Sequence, residues 1–321
     1  MSRFFTFILL TCALLHAEEP RTFTAADGRT LKATIVSKTD THVTIRRAED
    51  GQDFLMPLEK LSAADQAFVR AWGVPVAAPA DGTADKFPYK AIQLEAQDGL
   101  KVEADFYDVG DKSKPIILYC HRALSSRGEY RVIASRLAKM GFNGLALDQR
   151  SGKEFDGVPN ETAARAIEAI RKAQGTAPRL LLYDAARPDI EAGLDWIKAQ
   201  GFTGPLIFWG SSYSSSFAIL LAAERPEIKA VVAFAPGEWL MKDKGSVTAA
   251  AQKLTQPIIV IHPENEKAMG QPVYDAIASP QKQLIMHAGI LHGSNELLRG
   301  VKRDETWKAV LDFLQPWTPK P

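Results

Sequence analysis

The spacing of apolar and polar positions changes period along the chain. Between residues 21 and 72 the period is two. Leu31-Lys32-Ala33-Thr34-Ile35-Val36 and His42-Val43-Thr44-Ile45-Arg46 alternate, Thr22-Phe23-Thr24 precedes Asp27-Gly28, and Phe54-Leu55-Met56-Pro57-Leu58 follows Asp50-Gly51. Short alternating runs parted by Asp-Gly turns predict a small antiparallel sheet or barrel. Ser62 then opens a helix-period stretch to Arg70 as its N-cap. Residues 73–89 carry Pro75, Pro79, Gly82 and Pro88 among alanines without an apolar period, which predicts a linker. From residue 90 the pattern changes again. A hairpin pairs Ala91–Ala96 with Lys101–Tyr107 across Asp98-Gly99. Near-continuous apolar runs follow at Pro115–Cys120, Phe142–Asp148, Pro205–Trp209, Ile228–Ala235, Pro257–His262 and Gln283–Ala288. Helix-period stretches such as Tyr130–Met140, Asp189–Ala199 and Phe217–Arg225 lie between them. That alternation predicts an α/β unit, a mostly parallel sheet with helices on both faces.

Composition narrows the picture little, and the N-terminus narrows it more. Lys and Arg number 39 against 38 Asp and Glu in 321 residues, so no charge excess points to nucleic acid. Arg3 followed by the apolar run Phe4–Leu15 and the small Ala17 reads as a secretory signal peptide over residues 1–17. The run is too short for a permanent membrane anchor, and no later segment is long and apolar enough to span a bilayer. Cys12 lacks the small preceding residue that lipid attachment would call for. Cleavage after Ala17 leaves Cys120 alone, so no intrachain disulfide is available. Export without disulfides predicts a bacterial periplasmic or extracellular location.

The chemistry concentrates after the run Leu206-Ile207-Phe208-Trp209. Gly210-Ser211-Ser212-Tyr213-Ser214 forms a turn of small residues, and the apolar stretch Ser215–Ala223 leaves it as a helix. In a strand–turn–helix setting this reads as a G-x-S-x-G nucleophile elbow, with Ser214 in the last small position. Such a turn strains Ser212, exposes its hydroxyl and leaves the Tyr213 N–H free to hold an oxyanion. A serine nucleophile needs a base, and the base needs an acid to orient it. His292, in the Gly-flanked loop Ala288-Gly289-Ile290-Leu291-His292-Gly293, is the candidate base; His287 and His262 close strands. Glu264, Glu266 and Glu238 are the candidate acids. No paired His/Cys spacing suggests a metal and no phosphate-binding loop suggests a nucleotide, so no cofactor is expected.

Two resemblances add to these expectations. Residues 90–318 resemble the α/β-hydrolase superfamily, nearest its dienelactone hydrolase and acyl-peptidase-like branches. The elbow, Asp148-Gln149-Arg150-Ser151-Gly152 and the loops after the later strands carry the likeness. The resemblance implies a catalytic order Ser212, Glu266, His292, with Pro263 where Gly is usual and Glu266 where Asp is usual. It also implies an oxyanion hole from Tyr213 and from the loop His121-Arg122-Ala123, where Arg122 stands in the usual Gly place and Arg122 or Ala123 gives the second N–H. Arg127, Trp239 and Phe155 are candidate pocket residues, and the segment Ser151–Pro188, with a helix at Glu161–Gln174, is a candidate lid or equally a plain surface helix. The implied activity is hydrolysis of a small carboxylic ester through an acyl-enzyme. A prolyl-oligopeptidase-type peptidase and a non-catalytic binding protein on the same scaffold are the alternatives. Residues 21–72 resemble the Sla homology domain, an SH3-like module, through Arg21-Thr22-Phe23-Thr24, Asp27-Gly28-Arg29, Pro57-Leu58-Glu59-Lys60-Leu61-Ser62 and Asp65-Gln66. That likeness implies a binding role, with a protein as candidate partner, or a packing role, and no chemistry.

Overall fold

The computed structural model describes residues 20–38, 42–49, 52–71, 86–176, 181–240 and 245–319. The expected leader at 1–17 lies outside the described residues, as does the expected linker up to residue 85. The chain divides into two compact units, Met1–Gly82 and Thr83–Pro321.

In the first unit, β1 (Arg21–Thr24), β2 (Thr30–Lys38), β3 (His42–Arg47) and β4 (Asp53–Pro57) form an antiparallel meander in that order, followed by α1 (Ala63–Ala71). One side of each strand feeds a small core of Phe23, Ala33, Ile35, Val43 and Ile45, closed by Leu58, Leu61 and Val69. The predicted cap is present: the Asp65 N–H donates to Ser62 Oγ at 3.2 Å, and that hydroxyl donates to Asp65 Oδ2 at 2.9 Å. Asp65 also accepts from Arg21 Nη2 and from the Thr24 N–H, both at 2.7 Å, which ties α1 to β1.

The second unit opens with the antiparallel hairpin β5 (Lys90–Glu95) and β6 (Lys101–Tyr107). The later strands are β7 (Ile116–Cys120), β8 (Asn143–Leu147), β9 (Leu206–Ser211), β10 (Ile228–Phe234), β11 (Ile258–Pro263) and β12 (Lys282–His287). The sheet order is β12-β11-β10-β9-β7-β8-β6-β5, parallel from β8 through β12 and antiparallel where β6 meets β8 and β5. Between the strands run α2 (Arg131–Lys139), α3 (Glu161–Gln174), α4 (Arg187–Ala199), α5 (Tyr213–Glu224), α6 (Ser246–Ala251) and α7 (Lys267–Ala276), and after β12 come α8 (Glu296–Arg299) and α9 (Arg303–Leu314).

Strand alternation sorts the core into two layers. Ile116, Leu118 and Phe208 face the layer built with α4 and α5, including Ile190, Leu194 and Phe217. Ile117, Tyr119 and Trp209 face the layer built with α2 and α9, including Ile133, Leu137, Trp307 and Phe313. Each such side chain taken fully out of water contributes about 1.5–3 kcal/mol before entropy is charged. The chain reverses its winding between β7 and β9, which are neighbours in the sheet although β8 separates them in sequence. A crevice at the carboxyl ends of the strands is expected at such a switch point.

The helix of the segment considered as a lid packs elsewhere. Thr162 Oγ1 accepts the Glu103 N–H at 2.9 Å and Arg165 pairs with Glu103 at 2.6 Å, so α3 docks on β6. In the sheet, β8 and β7 stand between β6 and β9. α3 is therefore a surface helix on the far half of the sheet.

Candidate active site

Ser212 sits between β9 and α5 with φ 58° and ψ −126°. A non-glycine residue in such a conformation costs of order 1–3 kcal/mol and persists only where its surroundings over-determine it. Here they do. The Ser212 N–H donates to Phe234 O at 2.7 Å, and the Ser215 N–H donates to Ser212 O at 2.9 Å. Ser214 Oγ accepts the Ser211 N–H at 2.8 Å and donates to Cys120 O at 2.6 Å, joining the ends of β9 and β7. The serine in the motif's last small position thus adds bonds that glycine could not make. Gly210 has no such latitude: a Cβ there would lie 2.4 Å from Ser215 Cα and 2.5 Å from Ser214 O. Tyr213 to Ala222 are all buried, so the helix leaving the turn is clamped on every side.

His292 reaches this serine from the loop after β12. Its Nε2 is 2.7 Å from Ser212 Oγ, while Nδ1 lies 3.0 and 2.8 Å from the two carboxylate oxygens of Glu266. An ionised carboxylate only accepts, so Nδ1 carries the hydrogen and Nε2 accepts the serine proton. Trp239 stands edge-on to the imidazole, ring centres 6.0 Å apart. The fold therefore brings Ser212, His292 and Glu266 together. The other acids are elsewhere engaged or exposed. Glu238 accepts the N–H groups of Gly245 at 3.1 Å and Thr248 at 2.7 Å, and so caps α6. Glu264 is exposed on the turn after β11. His287 is exposed at the end of the edge strand β12. His262 is buried beneath Gly270, whose Cβ would come within 2.1 Å of the ring.

The oxyanion loop needs a correction. The Arg122 N–H donates to Glu129 Oε2 at 3.0 Å, so its hydrogen is already committed and cannot serve a developing oxyanion. The Ala123 N–H has no acceptor among the described residues, and Tyr213, the first residue of α5, leaves its N–H outside the helix ladder. His121 is buried and braces the loop. Its Nδ1–H donates to Arg122 O at 2.7 Å, while Nε2 accepts the Gln149 N–H at 2.9 Å. Burial pushes its pKa down to about 3. Arg127 is no pocket residue: it is tied to Asp105 at 2.9 Å and to Asp148, both fully buried. Phe155 lies 5.6 Å from each of the Arg122 and Arg299 guanidinium carbons.

Two residues of this site were not singled out from sequence, Glu129 and Ser211. Ser211 Oγ donates to Glu129 Oε1 at 2.7 Å and accepts the Ser294 N–H at 2.9 Å. Their side chains are both fully buried. The only local signal was that Ser211 directly precedes the candidate nucleophile.

Comparison with solved structures places the larger unit in the α/β-hydrolase fold. An esterase of Pyrococcus furiosus shares 20% identity at a TM-score of 0.55, over 73% of this chain and 92% of its own. A dienelactone hydrolase from Anabaena variabilis shares 16% identity at 0.54, over 72% and 98%. A soluble variant of monoglyceride lipase from Saccharomyces cerevisiae shares 14% at 0.51, over 76% and 100%. No family profile matches the sequence, and no curated protein matches it.

Proposed function

We propose that the larger unit is a serine hydrolase that cleaves carboxylic esters through an acyl-enzyme on Ser212. The observation that carries this reading is the strained Ser212, its hydroxyl 2.7 Å from His292 Nε2 with Glu266 on the opposite ring nitrogen. Structural likeness to esterases supports it at the level of fold.

The chemistry follows from those positions. Ser212 Oγ attacks the ester carbonyl carbon as His292 Nε2 takes its proton. Glu266 keeps Nδ1 protonated and balances the imidazolium. The carbonyl oxygen gains its charge between the Tyr213 and Ala123 N–H groups, each such donor contributing about 3 kcal/mol to the barrier reduction. Tyr213 also begins α5, whose positive dipole end favours that charge. Collapse of the tetrahedral adduct expels the alcohol, which receives the proton from His292. Water then enters by the same steps in reverse and releases the acid and free Ser212.

Hydrolysis of p-nitrophenyl butyrate tests the reading. Ser212→Ala is expected to lower kcat by about 10⁵-fold or more, the scale for removing a triad nucleophile, and to abolish labelling by a fluorophosphonate. Retention of the wild-type rate by that variant would remove Ser212 from the mechanism.

A further inference from the structure

We infer that Glu129 is a positioning residue that locks the oxyanion loop to the nucleophile and to the loop of the base. The inference rests on the reading of Ser212, His292 and Ala123 given above. It adds a residue that takes no part in the bond changes.

Glu129 lies in the single 3₁₀ turn Arg127–Tyr130 after β7, with 0% exposure. Burying a carboxylate is costly unless it is paired and hydrogen-bonded. The buried carboxylates of Asp105 and Asp148 meet that cost with the Arg127 guanidinium. Glu129 has no cationic partner among the described residues. What it has instead are two neutral donors with fixed directions: the Arg122 N–H on Oε2 at 3.0 Å and the Ser211 hydroxyl on Oε1 at 2.7 Å. The Ser211 oxygen in turn accepts the Ser294 N–H at 2.9 Å, and Ser294 Oγ accepts Trp209 Nε1–H at 2.9 Å.

Each residue held this way is close in sequence to a working one. Arg122 precedes Ala123, Ser211 precedes Ser212, and Ser294 follows His292 by two positions. One carboxylate and one hydroxyl thus join the loops leaving β7, β9 and β12. The approach is close: a Cβ at Gly293 would lie 2.5 Å from Ser211 Oγ and 3.3 Å from Arg122 Cδ. Capture of the Arg122 N–H also decides which amide of the loop stays free. With that hydrogen turned inward to Glu129, the Ala123 N–H is left to face the oxyanion. A carboxylate kept only for stability would be served equally well by a buried cation. Directional neutral donors on three loops instead fix relative position, which oxyanion stabilisation demands to a fraction of an ångström.

Glu129→Gln keeps the side-chain size but replaces one acceptor oxygen with a donor NH₂. That group then either opposes the Arg122 N–H or donates to Ser211 Oγ, whose own hydrogen thereby loses its acceptor. With p-nitrophenyl butyrate, at a temperature where circular dichroism shows the variant folded, kcat is expected to fall about 10- to 100-fold with KM within about twofold. Affinity for a trifluoromethyl ketone, which adds to the serine and places an oxyanion in the hole, should fall by the same factor as kcat/KM. If Glu129→Gln does not fold, Ser211→Ala carries the test, since it cuts the elbow arm and spares the Arg122 arm. It should show a smaller loss of the same form, about 3- to 10-fold. A folded variant with unchanged kcat and ketone affinity would overturn the inference. So would a kcat loss that leaves ketone affinity untouched. Failure of the underlying reading looks different: wild-type hydrolysis would then survive Ser212→Ala.

Discussion

The two sides of His292 are built in opposite ways. On the serine side, Ser211, Ser214 and Ser215 are fully buried, and each hydroxyl hydrogen-bonds across the turn or to a neighbouring loop. On the acid side, Glu266 lies in a single 3₁₀ turn, Glu264–Glu266, with exposed residues on both flanks, and its carboxylate accepts from His292. Under the proposed mechanism, the contrast follows from what each side would have to do. The nucleophile and oxyanion donors have to meet a changing bond, where small displacements are expensive. The acid only has to orient a ring and balance its charge, and a turn can give by the length of one methylene. That explains how Glu266 occupies a place usually held by aspartate, and how Pro263 can end β11, where no further ladder N–H is required.

The contrast can be broken from either side. Glu266→Gln keeps the shape but presents an amide to Nδ1, and kcat should drop by about 10⁴-fold, the scale seen when a triad acid is neutralised. Glu238→Gln, which touches only the cap of α6, should leave kcat within about twofold, the acid thereby being located by kinetics alone. Gly293→Ala should cost about 10²-fold in kcat, because the new methyl meets Ser211 Oγ at 2.5 Å and φ is +76°. Exchange of Leu291, half-exposed next to His292 on its other flank, has no such collision to cause.

A smaller effect concerns acid stability on the serine side. His121 is neutral when folded, with its pKa held at about 3, against about 6.5 unfolded. The unfolded chain therefore binds the extra proton between those values, and stability falls as pH drops from about 6.5 toward 3. Urea midpoints measured across that range should decline, and the decline should be shallower in His121→Gln. An equal slope in both proteins would remove His121 from the acid response.

Much of this was legible because it is written locally. Buried parallel strands are near-continuous apolar runs, so β7 to β11 stand out, and α3 at Glu161–Gln174 can be read from its period. A strained elbow needs small residues in a fixed spacing, so Ser212 is visible in Gly210–Ser214. Chain order and resemblance pointed to His292 and Glu266, 80 and 54 residues downstream of Ser212. What could not be read is how particular atoms are shared. Arg122 and Ala123 were equivalent candidates until Glu129, seven residues on, took one of the two N–H groups. Arg127 looked available until Asp105 and Asp148 enclosed it, and whether α3 covers the site depended on which strand it docked against.

By itself, then, the sequence determined the alternation of strands and helices, the separate β-rich unit before it, and the serine and histidine on which chemistry could be built. These depend on hydrophobic period and turn residues, which act over a few positions. Tertiary structure alone decided which amide stays free for an oxyanion, which glutamate meets the imidazole, and that a buried carboxylate joins three loops. Those are competitions among hydrogen-bond donors and acceptors brought together from across the chain, such as Ser211 and Glu129, 82 residues apart, and only the folded geometry allots each hydrogen to one partner.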